Sequence, residues 1–327
     1  MSAWKPARVC GLLFLLCLGL PGASQASKEA RETKSFSVDN RIGSTFWITQ
    51  NYVVIPNITY SVAQNHQSKL DVYRPVYTNS PVPVVVNIHG GGWVNGTKED
   101  VSLSALPYME MGFAVVNVEY RLARTSPAPA AVQDCLCALH WLGRNANEYG
   151  FDLSKVVVTG ASAGGHLALT TALIPTREGF EDQCANDDDP SGGAGEWPNR
   201  RPPVAAVINW FGITDVEDLL HGANTRAYAV TWLNNQPNKD ALAARLSPIH
   251  YVRREAPPIL TIHGDHDTFV PYQQAVLFHR ALDTVKANNQ LLTIPGKGHG
   301  DFTPAQNLEA WNTIKRFLEK AGIHPIH

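Results

Sequence analysis

Short apolar runs alternate with longer stretches whose apolar residues recur at steps of three and four. Residues 71–73, 82–89, 113–118, 156–159, 204–209, 259–263 and 291–294 are brief, mostly aliphatic runs and predict strands. In 130–149, Val132, Cys135, Leu136, Leu139 and Leu142 repeat at helical spacing, giving one apolar helix face. Further helices are predicted at 166–172, 273–286 and 308–320. Strands that alternate with helices of this length imply an α/β fold, with a mostly parallel central sheet of about eight strands and helices on both faces. No internal repeat or linker divides the chain, so residues 27–327 are expected to form a single domain.

Two segments depart from this alternation. At the start, Lys5 and Arg8 precede an apolar stretch over 9–20, too short to span a bilayer comfortably, and Ser24-Gln25-Ala26 follows. That pattern predicts a signal peptide over 1–26, cleaved after Ala26, and hence a secreted or periplasmic protein. An uncleaved anchor is the competing reading. The second departure, 175–203, holds Asn186-Asp187-Asp188-Asp189, Ser191-Gly192-Gly193 and several prolines. Its carboxylates lack the ligand spacing of a calcium loop, so it is read as a solvated insertion near the substrate entrance.

Composition narrows the field further. A net charge of −2 gives no reason to invoke nucleic acid or an anionic membrane surface. Of five cysteines, Cys10 and Cys17 fall in the leader, leaving Cys135, Cys137 and Cys184. One of the first two pairing with Cys184, or a buried free thiol, are both open. No Cys/His spacing suggests a metal, and no cofactor is expected.

Candidate chemistry begins at Gly160-Ala161-Ser162-Ala163-Gly164, set between the run 156–158 and a helix. In G-x-S-x-G the glycines permit a sharp turn that lifts the serine hydroxyl into the open above a sheet. Three further elements follow strand-like runs: His89-Gly90-Gly91-Gly92-Trp93, Gly264-Asp265-His266-Asp267, and Gly298-His299-Gly300. All would lie at the carboxyl ends of strands, where open α/β sheets place their sites. The chain order Ser, Asp, His is that of the α/β-hydrolase arrangement.

Ser162 is the expected nucleophile and His299 its base, an imidazole being suited to accept the hydroxyl proton and return it to a leaving alcohol. His166 and His263 are rival imidazoles; His166 lies on the nucleophile helix and His263 ends a strand. Asp267 is preferred to Asp265 as the carboxylate on His299, because Asp265 stands nearer the strand end and suits bracing of the turn. Backbone N–H groups of Gly91, Gly92 and Ala163 would form the oxyanion hole. His89 would brace that loop. Trp93 would either wall the acyl pocket as a substrate-binding residue or pack into the scaffold.

These motifs, with Leu70-Asp71-Val72-Tyr73-Arg74-Pro75, Tyr120-Arg121-Leu122-Ala123, Phe211-Gly212-Ile213-Thr214-Asp215, Ser247-Pro248-Ile249 and Pro257-Pro258, make the chain similar to the hormone-sensitive-lipase-like esterases. It most resembles their branch of bacterial feruloyl and acetylxylan esterases. The resemblance implies a serine carboxylesterase of the α/β-hydrolase fold, with nucleophile, acid, base and oxyanion roles at the positions above. Taken with the export signal, it leads to the expectation of short acyl or hydroxycinnamoyl (feruloyl or acetyl) esters as substrates, including those of plant cell-wall xylan, met as small-molecule or oligosaccharide esters. Arg124-Thr125 and the long 175–203 segment depart from that branch and bear on substrate preference. A serine peptidase of the same fold and an inactive binding protein are the alternatives.

Overall fold

The computed structural model describes residues 46–76, 78, 80–185 and 201–324. The leader expected at 1–26 and residues 186–200 of the insertion lie outside the described residues. Eight strands form one sheet in the order β1-β2-β4-β3-β5-β6-β7-β8. They are β1 (Tyr52–Ala63), β2 (His66–Pro75), β3 (Val82–Ile88), β4 (Ala114–Val118), β5 (Phe151–Ala161), β6 (Val204–Trp210), β7 (Ile259–Gly264) and β8 (Asn289–Ile294). β1 and β2 pair antiparallel, as do β2 and β4; every other pairing is parallel.

Strand β1 is absent from the sequence reading, and its Pro56-Asn57 step explains why. The register shifts between Ile55 and Ile58, and Asn57 takes a φ of 60°. Its N–H donates to Asp71 Oδ1 at 2.7 Å, so a side chain of the neighbouring strand satisfies the bulge. The hairpin to β2 turns on Gln64 and Asn65, both at positive φ (52° and 61°), the two-residue geometry that matches strand twist.

The inner parallel strands are buried on both faces, whereas β8 at the edge is mostly half-buried, and the inner side chains alternate between two apolar layers. Val84, Val86, Ile88, Val156, Val158 and Val207 face one layer with α2 (Ala130–Tyr149) and α3 (Ala163–Leu173). Val85, Val157, Ala206, Ile208, Leu260 and Ile262 face the other, with α1 (Leu106–Glu110) and α7 (Pro304–Lys320). This period of two is why the strands read as continuous apolar runs rather than alternating ones. Helices α4 (Ala227–Leu233), α5 (Lys239–Arg245) and α6 (Tyr272–Thr284) complete the set used below.

Helix α2 has the bounds expected from its spacing and stops at Gly150, whose φ of 68° ends it in the left-handed region. The open cysteine question resolves into a Cys137–Cys184 disulfide, with Cys135 buried and free. The bridge ties α2 to the described start of the insertion. Beside it, Glu181 accepts a hydrogen bond from His140 Nε2 at 2.8 Å and lies 3.6 Å from Arg201 Nε. The described residues fall within one compact unit.

Candidate active site

Ser162 sits between β5 and α3 with φ 58° and ψ −121°, a strained conformation for a residue with a Cβ. Its N–H donates to Trp210 O at 2.9 Å, and its carbonyl accepts from His166 N at 3.0 Å. The flanking glycines do not carry the positive φ themselves. They are required by close approach: a Cβ on Gly164 would stand 2.1 Å from Ile88 O, and one on Gly160 2.4 Å from the Gly164 backbone. The strain therefore rests on the serine, and the glycines let the turn settle onto the end of β3.

The glycine loop lies against this turn. A Cβ on Gly90 would be 2.8 Å from Ala161 O and 3.6 Å from Ser162 Cβ. Gly91, Gly92 and Trp93 all have positive φ (109°, 62° and 60°), and Gly91 O accepts the N–H groups of Val94 and Asn95. His89 braces the loop as expected. Its Nδ1 donates to Gly90 O at 2.8 Å, and its ring stacks on Tyr120 at 4.1 Å. Tyr120 Oη donates to His89 O and Gly90 O at 3.1 and 3.2 Å. Burial pushes the His89 imidazole below its ordinary pKa. Ala163 is the buried first residue of α3, where the helix N-terminus favours negative charge.

The two candidate acids separate cleanly. Asp267 Oδ2 accepts from His299 Nδ1 at 2.7 Å. Asp265 Oδ1 instead accepts from Gly296 N and from His266 Nδ1, both at 2.6 Å, and so braces the turn. Asp267 is filled on every side: Oδ1 takes the N–H groups of Phe269 and Val270 at 2.8 and 3.0 Å, and Oδ2 also takes His263 Nε2 at 3.2 Å. Burial alone would raise its pKa, but the hydrogen bonds from His263 and His299 hold it well below the usual carboxylate range.

His299 packs against two aromatic rings, Phe211 at 4.6 Å and Phe269 at 5.4 Å between centroids. A Cβ on the next residue, Gly300, would approach Phe211 Cζ to 3.0 Å. Among the described residues, Ser162 Oγ makes no hydrogen bond, to His299 or otherwise; catalytic contacts of this kind often tighten only when substrate binds. The two residues are linked through the end of β6, where Trp210 O accepts from Ser162 N and Phe211 supports the imidazole.

Trp93 corrects the substrate-binding expectation in favour of its alternative. It is fully buried, stacked on Trp232 at 4.1 Å, edge-on to His166 at 4.9 Å and tilted to Tyr228 at 5.8 Å. Its left-handed backbone turns the indole down into the scaffold. A largely apolar cavity of about 290 Å³ opens on the other face of the sheet. Ala161, Thr159, Tyr108, Trp210, Phe211 and Trp311 line it, so it begins one residue before Ser162 and includes the ring that supports His299.

Three contacts were not read from the sequence. Phe211 and Phe269 lie on loops after separate strands, and nothing in their spacing pairs them with His299. His263 did carry a signal: it sits four residues before Asp267, at the end of an apolar run.

The BD-FAE family model matches residues 70–282, from β2 into α6, covering Ser162 and Asp267. Among curated proteins, esterase LipC of Mycobacterium tuberculosis is 30% identical over 240 residues, 71% of this chain and 56% of its own. Carboxylesterase NlhH from the same species is 42% identical over a shorter 104 residues, 32% of this chain and 33% of its own. The chain spans about half the length of the curated relatives it matches over most of its own length. Among solved structures, a truncated carbohydrate esterase from gut microbiota superposes with a TM-score of 0.67 at 26% identity, covering 83% of this chain and 97% of that one. Esterase 2 of Thermogutta terrifontis shares the fold, with a TM-score of 0.68 at 22% identity over 85% of this chain and 97% of its own. With Ser162 on its strained turn and Asp267 on His299, the match fits the order of elements found here: the chain belongs to the BD-FAE family and has the α/β-hydrolase fold.

Proposed function

We propose that the protein is an exported serine carboxylesterase acting on short acyl or hydroxycinnamoyl esters of small alcohols or oligosaccharides, including those of plant cell-wall xylan. The observation that carries this reading is the Asp267–His299 hydrogen bond on the fold that holds Ser162 in a strained turn. In the reaction, Ser162 Oγ attacks the ester carbonyl while His299 Nε2 takes its proton. Asp267 keeps Nδ1–H in place and stabilises the imidazolium. The N–H groups of Gly91, Gly92 and Ala163 receive the developing oxyanion, each donor contributing about 3 kcal/mol to the barrier reduction. Collapse expels the alcohol, protonated by His299, and water then releases the acid from the acyl-serine by the same sequence.

The apolar cavity beside Ala161 supports an acyl site larger than acetate needs, because an unfilled apolar volume forfeits contacts. The Cys137–Cys184 bridge supports export, since such bonds persist in oxidising compartments. The names of the esterase LipC and of the gut carbohydrate esterase are in keeping with the same chemistry.

A panel of p-nitrophenyl acetate, butyrate and palmitate, methyl ferulate and acetylated xylan oligosaccharides tests the reading. Turnover of the short-chain or feruloyl esters, lost in Ser162→Ala and blocked by stoichiometric organophosphonate labelling of Ser162, is the expected result. Activity confined to palmitate would reject it.

A further inference from the structure

Two imidazoles share one carboxylate oxygen. His299 Nδ1 reaches Asp267 Oδ2 at 2.7 Å from the solvent side, and His263 Nε2 reaches the same atom at 3.2 Å from inside the sheet. The His263 side chain has no exposed surface, whereas His299 keeps 20% of its own. His263 Nε2 also lies 3.1 Å from Val270 O. A carbonyl only accepts, so Nε2 must carry the hydrogen and split it between the carbonyl and the carboxylate. The other ring nitrogen, Nδ1, is buried with no hydrogen-bond partner, and a proton there would be an unsatisfied donor. His263 is thus fixed as a donor, and its ring is further held edge-on by Tyr272 at 5.6 Å.

We propose that His263 is a positioning residue: its Nε2–H fills the last acceptor site on Asp267 and so sets how strongly that carboxylate draws a proton onto His299. The proposal rests on the reading of Ser162, Asp267 and His299 given above. A carboxylate has about four acceptor sites, and here Phe269 N, Val270 N, His299 and His263 occupy them. Charge shared among four donors attracts the imidazolium less than charge shared among three. Without His263 the carboxylate would hold the protonated imidazole more tightly, and would also be free to turn. The base would then become available only at higher pH.

Other titratable groups surround the pair. Asp265 and His266 share the loop; Arg226 and Tyr228, at the start of α4, hydrogen-bond to the carbonyls of residues 268–269; Tyr272 comes from α6; Lys297 and Asp301 lie in the His299 loop. Substitution at His263 leaves all of them in place, so a change in the pH profile reports the lost N–H.

The test compares His263→Leu, which removes the donor, with His263→Gln, whose amide can place N–H at the same reach. kcat/KM for p-nitrophenyl butyrate is measured from pH 5 to 9, with active enzyme counted by organophosphonate labelling so that misfolded chains drop out. The acid limb should move up by about half a pH unit or more in His263→Leu, and return to the wild-type position in His263→Gln. A purely structural role would lower the labelled fraction and leave the limb where it was. Unmoved limbs in both variants, or equal shifts in both, overturn the proposal. If His263→Leu does not fold, His263→Asn, whose amide falls short, takes its place. NMR titration of the His299 ring needs no turnover: the same shift in the donor-free variant supports the proposal and its absence rejects it, even if the esterase reading fails. Loss of that reading shows separately, as wild-type protein inert on every ester or Ser162→Ala retaining activity.

Discussion

Asp267 and Asp265 stand two residues apart on one loop, yet each binds a different part of the His299 loop: Asp267 the imidazole itself, Asp265 the N–H of Gly296. The division follows from where each side chain leaves the end of β7. Asp267→Asn should lower kcat/KM by about a thousandfold or more. Asp265→Asn should leave it within about threefold, since a surface turn residue acts only through loop stability. Parallel steady-state kinetics on one ester decide, and the reverse ranking would exchange their roles.

The Ser162 turn is set by contact, not by glycine flexibility. Gly164→Ala would press a methyl group against Ile88 O, 2.1 Å away, in a fully packed layer. Overpacking of this kind costs about 1–3 kcal/mol, and the turn must shift to relieve it. Urea denaturation should show that loss, and phosphonate labelling of Ser162 should slow by more than tenfold in the fraction that remains folded.

His166 makes stability depend on pH. It is fully buried, and burial pushes its imidazole down to about 4 despite the 2.7 Å contact of Nε2 with Leu246 O. Unfolded histidine titrates near 6.5, so between those values the unfolded chain binds the extra proton. The contribution is therefore complete above pH 6.5 and is lost as pH falls toward 4, by about 3 kcal/mol in all. Urea midpoints measured from pH 7 to 4 should fall along that window, and His166→Gln should flatten that part of the slope.

The Cys137–Cys184 bridge closes a loop with a sequence separation of 47. Chain-entropy arguments give such a loop about 4 kcal/mol of stabilisation. Cys184→Ser should lower the urea midpoint accordingly, while dithiothreitol added to that variant should have no further effect.

Much of this architecture was legible because parallel strands buried on both faces leave unbroken aliphatic runs, as in 82–88 and 156–158. The site was legible because a strained strand-to-helix turn leaves a fixed spacing of small residues around Ser162. Among what escaped, three cases have a local cause. β1 carries its bulge at Pro56-Asn57, which reads locally as a turn. Helix α7 begins at Pro304, four residues before the expected start; Thr303 caps it by accepting from Gln306 N, a Thr-x-x-Gln signal present in the sequence. The direction of the Trp93 side chain depends on a positive φ that no pattern of neighbours announces.

Phe211 belongs at once to the wall of the cavity and to the support of His299. An occupant of that volume therefore leans on the same benzene ring that packs on the imidazole proposed to carry the proton. Guests of different bulk should differ in how fast they are processed once seated, and not only in how tightly they are held.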